Sequence, residues 1–171
     1  MDKDYNKEMF ISKINNMMIQ VLNAEMMQEI DPVRHFLNDE EETILENKIN
    51  HLKHQNYRQM YDELNASNTI ISNILQTDHK YIIEADMTLK YMDYIIDMNG
   101  KLISGNNKFR SIHHYHITFE KIKNAKEYKI VRKCKNCGHS MNVNLNGKCE
   151  YCGNIYNLED YDYIITKIRK V

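Results

Sequence analysis

The four cysteines of the chain form two matching pairs, Cys134-x2-Cys137 and Cys149-x2-Cys152, in the stretch CKNCGHSMNVNLNGKCEYCG, and a glycine follows each pair, Gly138 and Gly153. A Cys-x-x-Cys turn folds back so that amide groups face the sulfurs, and a residue free to take positive φ makes that turn cheap. Two such knuckles facing each other deliver four thiolates to one ion. Zn2+ suits an all-sulfur tetrahedral site, and four protein ligands leave no position for a reactive water. The expectation is therefore one structural Zn2+ per chain, held by Cys134, Cys137, Cys149 and Cys152. Iron fits the same ligands. A thioredoxin-like pair would have to open a helix after a strand, and disulfides need oxidising conditions, for which nothing in the sequence argues. Met141, Val143 and Leu145 alternate between the pairs, and Asn146-Gly147 offers a hairpin turn. This is the layout of a zinc ribbon over residues 134–158, too short to build a core without its metal.

Other residues could do chemistry in different ways. Asp93 falls on the same face of a long strand pattern as Ile83, Ala85, Met87, Leu89 and Tyr91. A carboxylate in an apolar pocket could act as an acid or base, with Tyr91 or Tyr94 donating to a developing oxyanion. A bulge near Lys90, the favoured expectation for so long a strand, would instead turn Asp93 to water. His114 and His116 share one strand face opposite to His113, and His51 and His54 lie on one helix flank, but neither pair has a clear third metal ligand. Arg132, Lys133, Lys135 and Lys148 lie near the cysteines, offset by Glu150, Glu159 and Asp160, with Tyr151 and Tyr156 as the stacking surfaces. Nucleic-acid binding is thereby disfavoured.

The elements that must carry these residues change character along the chain. Phe10, Ile11, Ile14, Met17, Met18, Val21, Leu22 and Met27 mark an amphipathic helix from Lys7 to about Gln28. Asp31 and Pro32 suit the start of a short helix, and Asn38 with Glu41 forms a capping box for a second helix to about Asn56, burying Leu45, Ile49 and Leu52. From Asn68 onward, β-branched and aromatic runs read as strands, separated by connectors that include NGKLISGNN. Helices first and strands after argue for an α+β fold, with helices on one face of an antiparallel sheet.

Acidic and basic residues nearly cancel, 24 against 23, so no net field draws the protein to a polyanion. No window approaches the ~20 apolar residues that span a bilayer, and the start MDKDYNKEMF lacks a secretory layout. The expected location is cytoplasmic.

The Met-rich first helix, DPVRHFLNDEEE, YIIEADMTLKYMDYIIDMNGKLISGNN, HHYHITFEKI, and the cysteine ribbon followed by YDYIITKI together resemble bacterial zinc-ribbon proteins of the Tim44-like domain family over nearly the whole chain. The resemblance implies a fold of the nuclear-transport-factor-two type, a cystatin-like cone of helices over a strongly curved sheet around an apolar hollow. It divides the chain into a helical and sheet part (1–133), the ribbon (134–158) and a returning strand (159–171), the ribbon capping a hairpin between the last two strands. It also implies a non-catalytic, transport-related scaffold or binding protein. The partner would be a protein segment or a lipid-like apolar ligand, with peripheral contact at the inner face of a membrane. The expected pocket residues are Met87, Leu89, Tyr91, Asp93 and Tyr94; the competing reading is a small isomerase or dehydratase using Asp93.

Overall fold

The computed structural model describes residues 6–123, 131–134, 137–142, 149, 151–153 and 163–171. Two helices, α1 (Lys7–Met27) and α2 (Asp39–His54), pack on an antiparallel sheet of β1 (Tyr57–Gln76), β2 (Lys80–Asp97), β3 (Leu102–Gly105), β4 (Ser111–Ile122) and β7 (Ile164–Lys170). The strand order is β1-β2-β4-β7, with β3 also paired to β2. Two short strands, β5 (Val131–Lys133) and β6 (Ser140–Asn142), pair with each other and, among the described residues, with no other strand. The α+β expectation of helices on an antiparallel sheet holds. Among the described residues β7 pairs with β4 and β5 with β6, and most of the two segments expected to form the hairpin around the ribbon, residues 127–130 and 161–162 included, lies outside the described residues.

α1 begins at Asn6, whose side chain accepts from the amides of Glu8 and Met9, and ends at Gln28 in the left-handed region. Phe10, Ile14, Met17, Met18, Val21 and Leu22 enter the core, as their spacing predicts, but Met27 is exposed and Glu25 is buried in its stead. The Lys48 ammonium reaches across from α2 to the Glu25 carboxylate at 2.8 Å. Pairing of this kind makes a buried acid tolerable. Asp31 and Pro32 lie in a turn before a single 3-10 turn at Arg34–Phe36. Arg34 then ties that turn to α2 through Glu42 and Glu46.

Asn38 caps α2 by accepting from the Glu41 amide. The expected return bond of a capping box is replaced by another use of Glu41. Its carboxylate accepts from the Ile168 amide on β7 at 3.0 Å, Asn38 Nδ2 donates to the Thr166 carbonyl, and the Asn38 amide donates to the Ile165 carbonyl. The chain from Leu37 to Glu41 thus covers the outer edge of β7, which would otherwise offer unpaired groups to another strand.

β1 starts eleven residues before the position the sequence suggests, at Tyr57 instead of Asn68. Its inward residues Gln59, Tyr61, Leu64, Ala66, Thr69 and Ile71 are spaced by two and three in turn, because register shifts at Asp62/Asn65, Ala66/Asn68 and Ile71/Asn73 each add one residue to β1. That spacing hides the alternation of a strand. β2 by contrast pairs with β4 without interruption from Lys80 to Tyr91, so the bulge expected near Lys90 lies in β1, its neighbour.

The connector NGKLISGNN is a turn and a strand. Asp97 Oδ1 accepts from the amides of Asn99 and Lys101, and β3 then runs back along β2. β3 and β4 lie along the same edge of β2, opposite Tyr94–Ile96 and Lys80–Tyr91 respectively, joined by a loop at residues 106–110. Gly105 opens that loop at φ 86, where a Cβ would collide with the Asp93 carbonyl and sit 2.6 Å from the Tyr94 Cα.

Candidate metal centre and neighbouring polar cluster

The first knuckle is the loop of the β5–β6 hairpin. Beyond the Lys133–Ser140 pair, the Cys134 amide donates to the His139 carbonyl at 2.8 Å, and the Gly138 amide returns to the Cys134 carbonyl at 2.8 Å. The second knuckle repeats this return bond, from the Gly153 amide to the Cys149 carbonyl at 2.9 Å. Gly138 and Gly153 take φ 73 and 71 with open space at the Cβ position, so the need for glycine is conformational. The hairpin expected at Asn146-Gly147, with Val143 and Leu145, lies outside the described residues.

The four sulfurs lie within 4.8 Å of one another. Cys134 and Cys152 are 3.6 Å apart, Cys137 and Cys149 3.8 Å. A disulfide needs ~2.05 Å, so these are free thiols. Four ligands at ~2.3 Å in a tetrahedron have sulfurs ~3.8 Å apart, so the cage fits a tetrahedral thiolate-bound metal. A backbone hydrogen bond to His139 lowers the Cys137 pKa, but burial and the hydrogen bonds of the other three sulfurs outweigh it and hold the thiol at about 12. Four crowded thiols resist ionising together unless a cation takes the charge. Cys134 and Cys149 are buried, Cys137 is partly so and Cys152 is exposed.

The other expected site residues are divided between two faces. Met87, Leu89 and Tyr91 are buried in the core on the helix side of the sheet. Asp93 follows on the same face but is partly exposed, with Gln59 Nε2 donating to Oδ1 at 2.8 Å, Lys170 Nζ at 3.3 Å from Oδ2 and His113 Nε2 at 3.9 Å. It is neither in bulk water nor enclosed by apolar groups. Tyr94 faces the other way, its hydroxyl donating to Asp62 at 2.5 Å, a bond that raises its pKa to about 12.

Sequence reasoning missed the aromatic stack behind Asp93. His113 stacks on Tyr91 at 4.0 Å and 12°, Tyr91 meets Tyr61 edge-on at 5.0 Å, and the Tyr91 and Tyr115 hydroxyls share a hydrogen bond of 2.6 Å. Burial, then the nearby Lys170 ammonium, pushes the His113 pKa down, while Asp93 opposes the shift. Burial raises all three tyrosines, joined for Tyr61 by the Glu25 charge and for Tyr91 by its bond to Tyr115. Period-two spacing puts Tyr115 beside His113, but only the register of β2 against β4 brings it to Tyr91.

His116 and His114 lie on the outer face, bonded to Asp86 Oδ1 and Thr88 Oγ1. Near the cysteines, His139 stacks on Tyr151 at 4.6 Å and takes one of its faces. Arg132, Lys133, Lys135, Lys148, Glu150, Tyr156, Glu159 and Asp160 have no described side chains.

Residues 1–134 match the Tim44-like domain. The chain belongs to the Tim44-like domain family. The match stops at the first cysteine of the cage, so it is narrower than the near-complete resemblance read from the sequence, and Cys137, Cys149, Cys152 and β7 lie beyond it. A comparison with curated proteins finds no significant match. Membership of the Tim44-like family suggests a non-catalytic binding or scaffold role. No described helix of this Tim44-like chain is long and apolar enough to cross a membrane.

Proposed function

We propose that the chain is a non-catalytic, transport-related scaffold that takes an apolar or amphipathic segment of a partner, or a lipid-like ligand, and carries one structural Zn2+ on Cys134, Cys137, Cys149 and Cys152. The observation that carries the binding reading is a groove of about 480 Å3 beside α1, lined by Met9, Met17, Phe36 and Tyr163 with Ser12, Asn16 and Gln20 among its polar groups. A mixed lining, with Lys13 and His35 beside the apolar side chains, suits an amphipathic ligand with one oily face. The partners already held by Asp93, Tyr91 and Tyr94 favour this reading over an isomerase or dehydratase.

Three bulges in β1 favour the strongly curved, cone-like sheet of the nuclear-transport-factor-two type, since each bulge bends its strand. A ligand reaches Met87, Leu89 and Tyr91 only by displacing the side chains that bury them, whereas Asp93 is partly open to solvent and Tyr94 faces the other way. We place the protein in the cytoplasm at the inner face of the membrane, where reduced thiols remain free to bind metal. Binding of a labelled amphipathic helical peptide and of a fluorescent fatty acid tests the reading. Met9→Asp, at an exposed groove position, should weaken binding by at least about tenfold. Absence of binding to peptide, fatty acid and vesicles would overturn it.

A further inference from the structure

The four sulfurs of the cage differ in what a solute can reach. Cys134 and Cys149 are each 3% exposed, Cys137 is partly covered and Cys152 is exposed. Both neighbours of Cys152 leave it open: Gly153 is exposed and has no side chain, and Tyr151, itself 62% exposed, lays its ring on His139. Cys152 therefore meets a dissolved reagent first. It also sits across the cage from Cys134 at 3.6 Å, closer than Cys137 is to Cys149 at 3.8 Å. Each of these contacts joins one knuckle to the other. A metal-bound cysteine is a thiolate, so Cys152 is an accessible nucleophile with a second, buried nucleophile behind it. An exposed thiolate beside a resolving cysteine is the arrangement that peroxides oxidise selectively.

We propose that Cys152 and Cys134 form a two-electron oxidation site whose substrate is a hydroperoxide, and that the disulfide between them releases the ion. The inference rests on the zinc reading given above. The Cys152 thiolate attacks one peroxide oxygen, the O–O bond breaks and hydroxide leaves, which makes Cys152 a sulfenic acid. The Cys134 thiolate then attacks that sulfur, the S–S bond forms, the S–O bond breaks and a second hydroxide leaves. The two sulfurs have given up two electrons and the peroxide has gained them. The sulfurs need only close from 3.6 Å to ~2.05 Å. Cys137 and Cys149 remain, half of the four ligands that a closed structural site uses, so the ion is shed. The new bridge ties the same two knuckles that the ion held, since Cys134 begins the loop after β5 and Cys152 belongs to the second knuckle. A further equivalent of oxidant closes Cys137 onto Cys149 in the same crosswise sense. A dithiol reverses both steps by exchange.

Titration of the whole reduced protein with hydrogen peroxide tests the proposal, after its metal content has been measured. A zinc-binding dye follows release, and alkylation with peptide mass mapping locates the bridges. One ion should appear for the first two thiols lost, the map should show Cys134 joined to Cys152, and dithiothreitol with added zinc should restore four thiols and the metal. A brief iodoacetamide pulse on the untreated protein should label Cys152 faster than each of the other three cysteines by at least about tenfold. A first bridge within a knuckle, Cys134 to Cys137 or Cys149 to Cys152, overturns the proposal. So does sulfinic acid at Cys152 without a bridge, or retention of zinc and all four thiols in a large excess of peroxide. Protein isolated without metal that still forms the Cys134–Cys152 bridge contradicts the zinc reading and supports the pairing, so the two failures are told apart. None of these outcomes bears on the α1 groove.

Discussion

Glu41 offers a quantitative test of how the helices are joined to the sheet. Its side chain is 7% exposed and accepts from the Ile168 amide at 3.0 Å, the contact that closes the edge of β7. Glu41→Ala leaves that buried amide without an acceptor, at a cost of about 1–3 kcal/mol. Glu41→Gln keeps an acceptor and removes a charge. Burial is the main cause of the raised Glu41 pKa, and the neighbouring Glu40 adds to it, while the Ile168 amide and Lys167 oppose. A folded-state pKa above the unfolded value means that stability is fully present below the unfolded value and lost as pH rises through the folded value. At pH 7 the ionised carboxylate is therefore a net burden that glutamine lacks. Urea unfolding followed by circular dichroism should rank wild type and Glu41→Gln within about 1 kcal/mol at pH 7, with Glu41→Ala below both by about 2 kcal/mol. In thermal melts that gap is about 4–8 °C. Raising the pH through and above 4.5 should move wild type downward relative to Glu41→Gln. An alanine variant as stable as wild type, or a glutamine variant as damaged as alanine, would refute the edge-closing role. A pH trend of the opposite sign would refute the electrostatic part.

Two further changes probe the interior and the loop. Tyr91→Phe should cost about 1–2 kcal/mol by leaving the buried Tyr115 hydroxyl unpaired, and Tyr91→Phe with Tyr115→Phe should cost less than the sum of the single changes, as a double-mutant cycle of urea melts would show. Gly105→Ala should cost about 1–3 kcal/mol, because the left-handed backbone and the Asp93 carbonyl leave no room for a Cβ; a variant as stable as wild type by thermal melting would contradict this.

The sequence disclosed those features whose physics is local. The stripe from Phe10 to Leu22 and the trio Leu45, Ile49 and Leu52 mark their helices by spacing alone, and Asn38 is a recognisable cap. The alternation of β2 is equally plain as far as Tyr91, but the bulge expected in it near Lys90 lies in β1 instead. The first half of β1 is hidden because two of the strand's three extra residues fall there and destroy the period of two, and because Gln59, a polar residue, occupies an inward position. Gly105 reads as a loop glycine, yet it sits where a strand leaves and rejoins the same edge of β2. Glu41 fits a capping box by spacing, and only the approach of β7 draws its carboxylate elsewhere. The cysteines stand apart, since spacing predicts a shared centre and the fold supplies the distances between the sulfurs. The polar stack of Tyr91, His113 and Asp93 depends on which strands are neighbours, a property that no local pattern carries.

The proposed centre is one metal ion shared by the sulfurs of Cys134, Cys137, Cys149 and Cys152. Metal analysis of natively isolated protein, with X-ray absorption at the zinc edge, is the direct measurement. It should find one zinc per chain bound by four sulfurs at about 2.3 Å, lost together with the β5–β6 hairpin in Cys149→Ser. Protein that carries no metal, or zinc bound through nitrogen or oxygen, would contradict it.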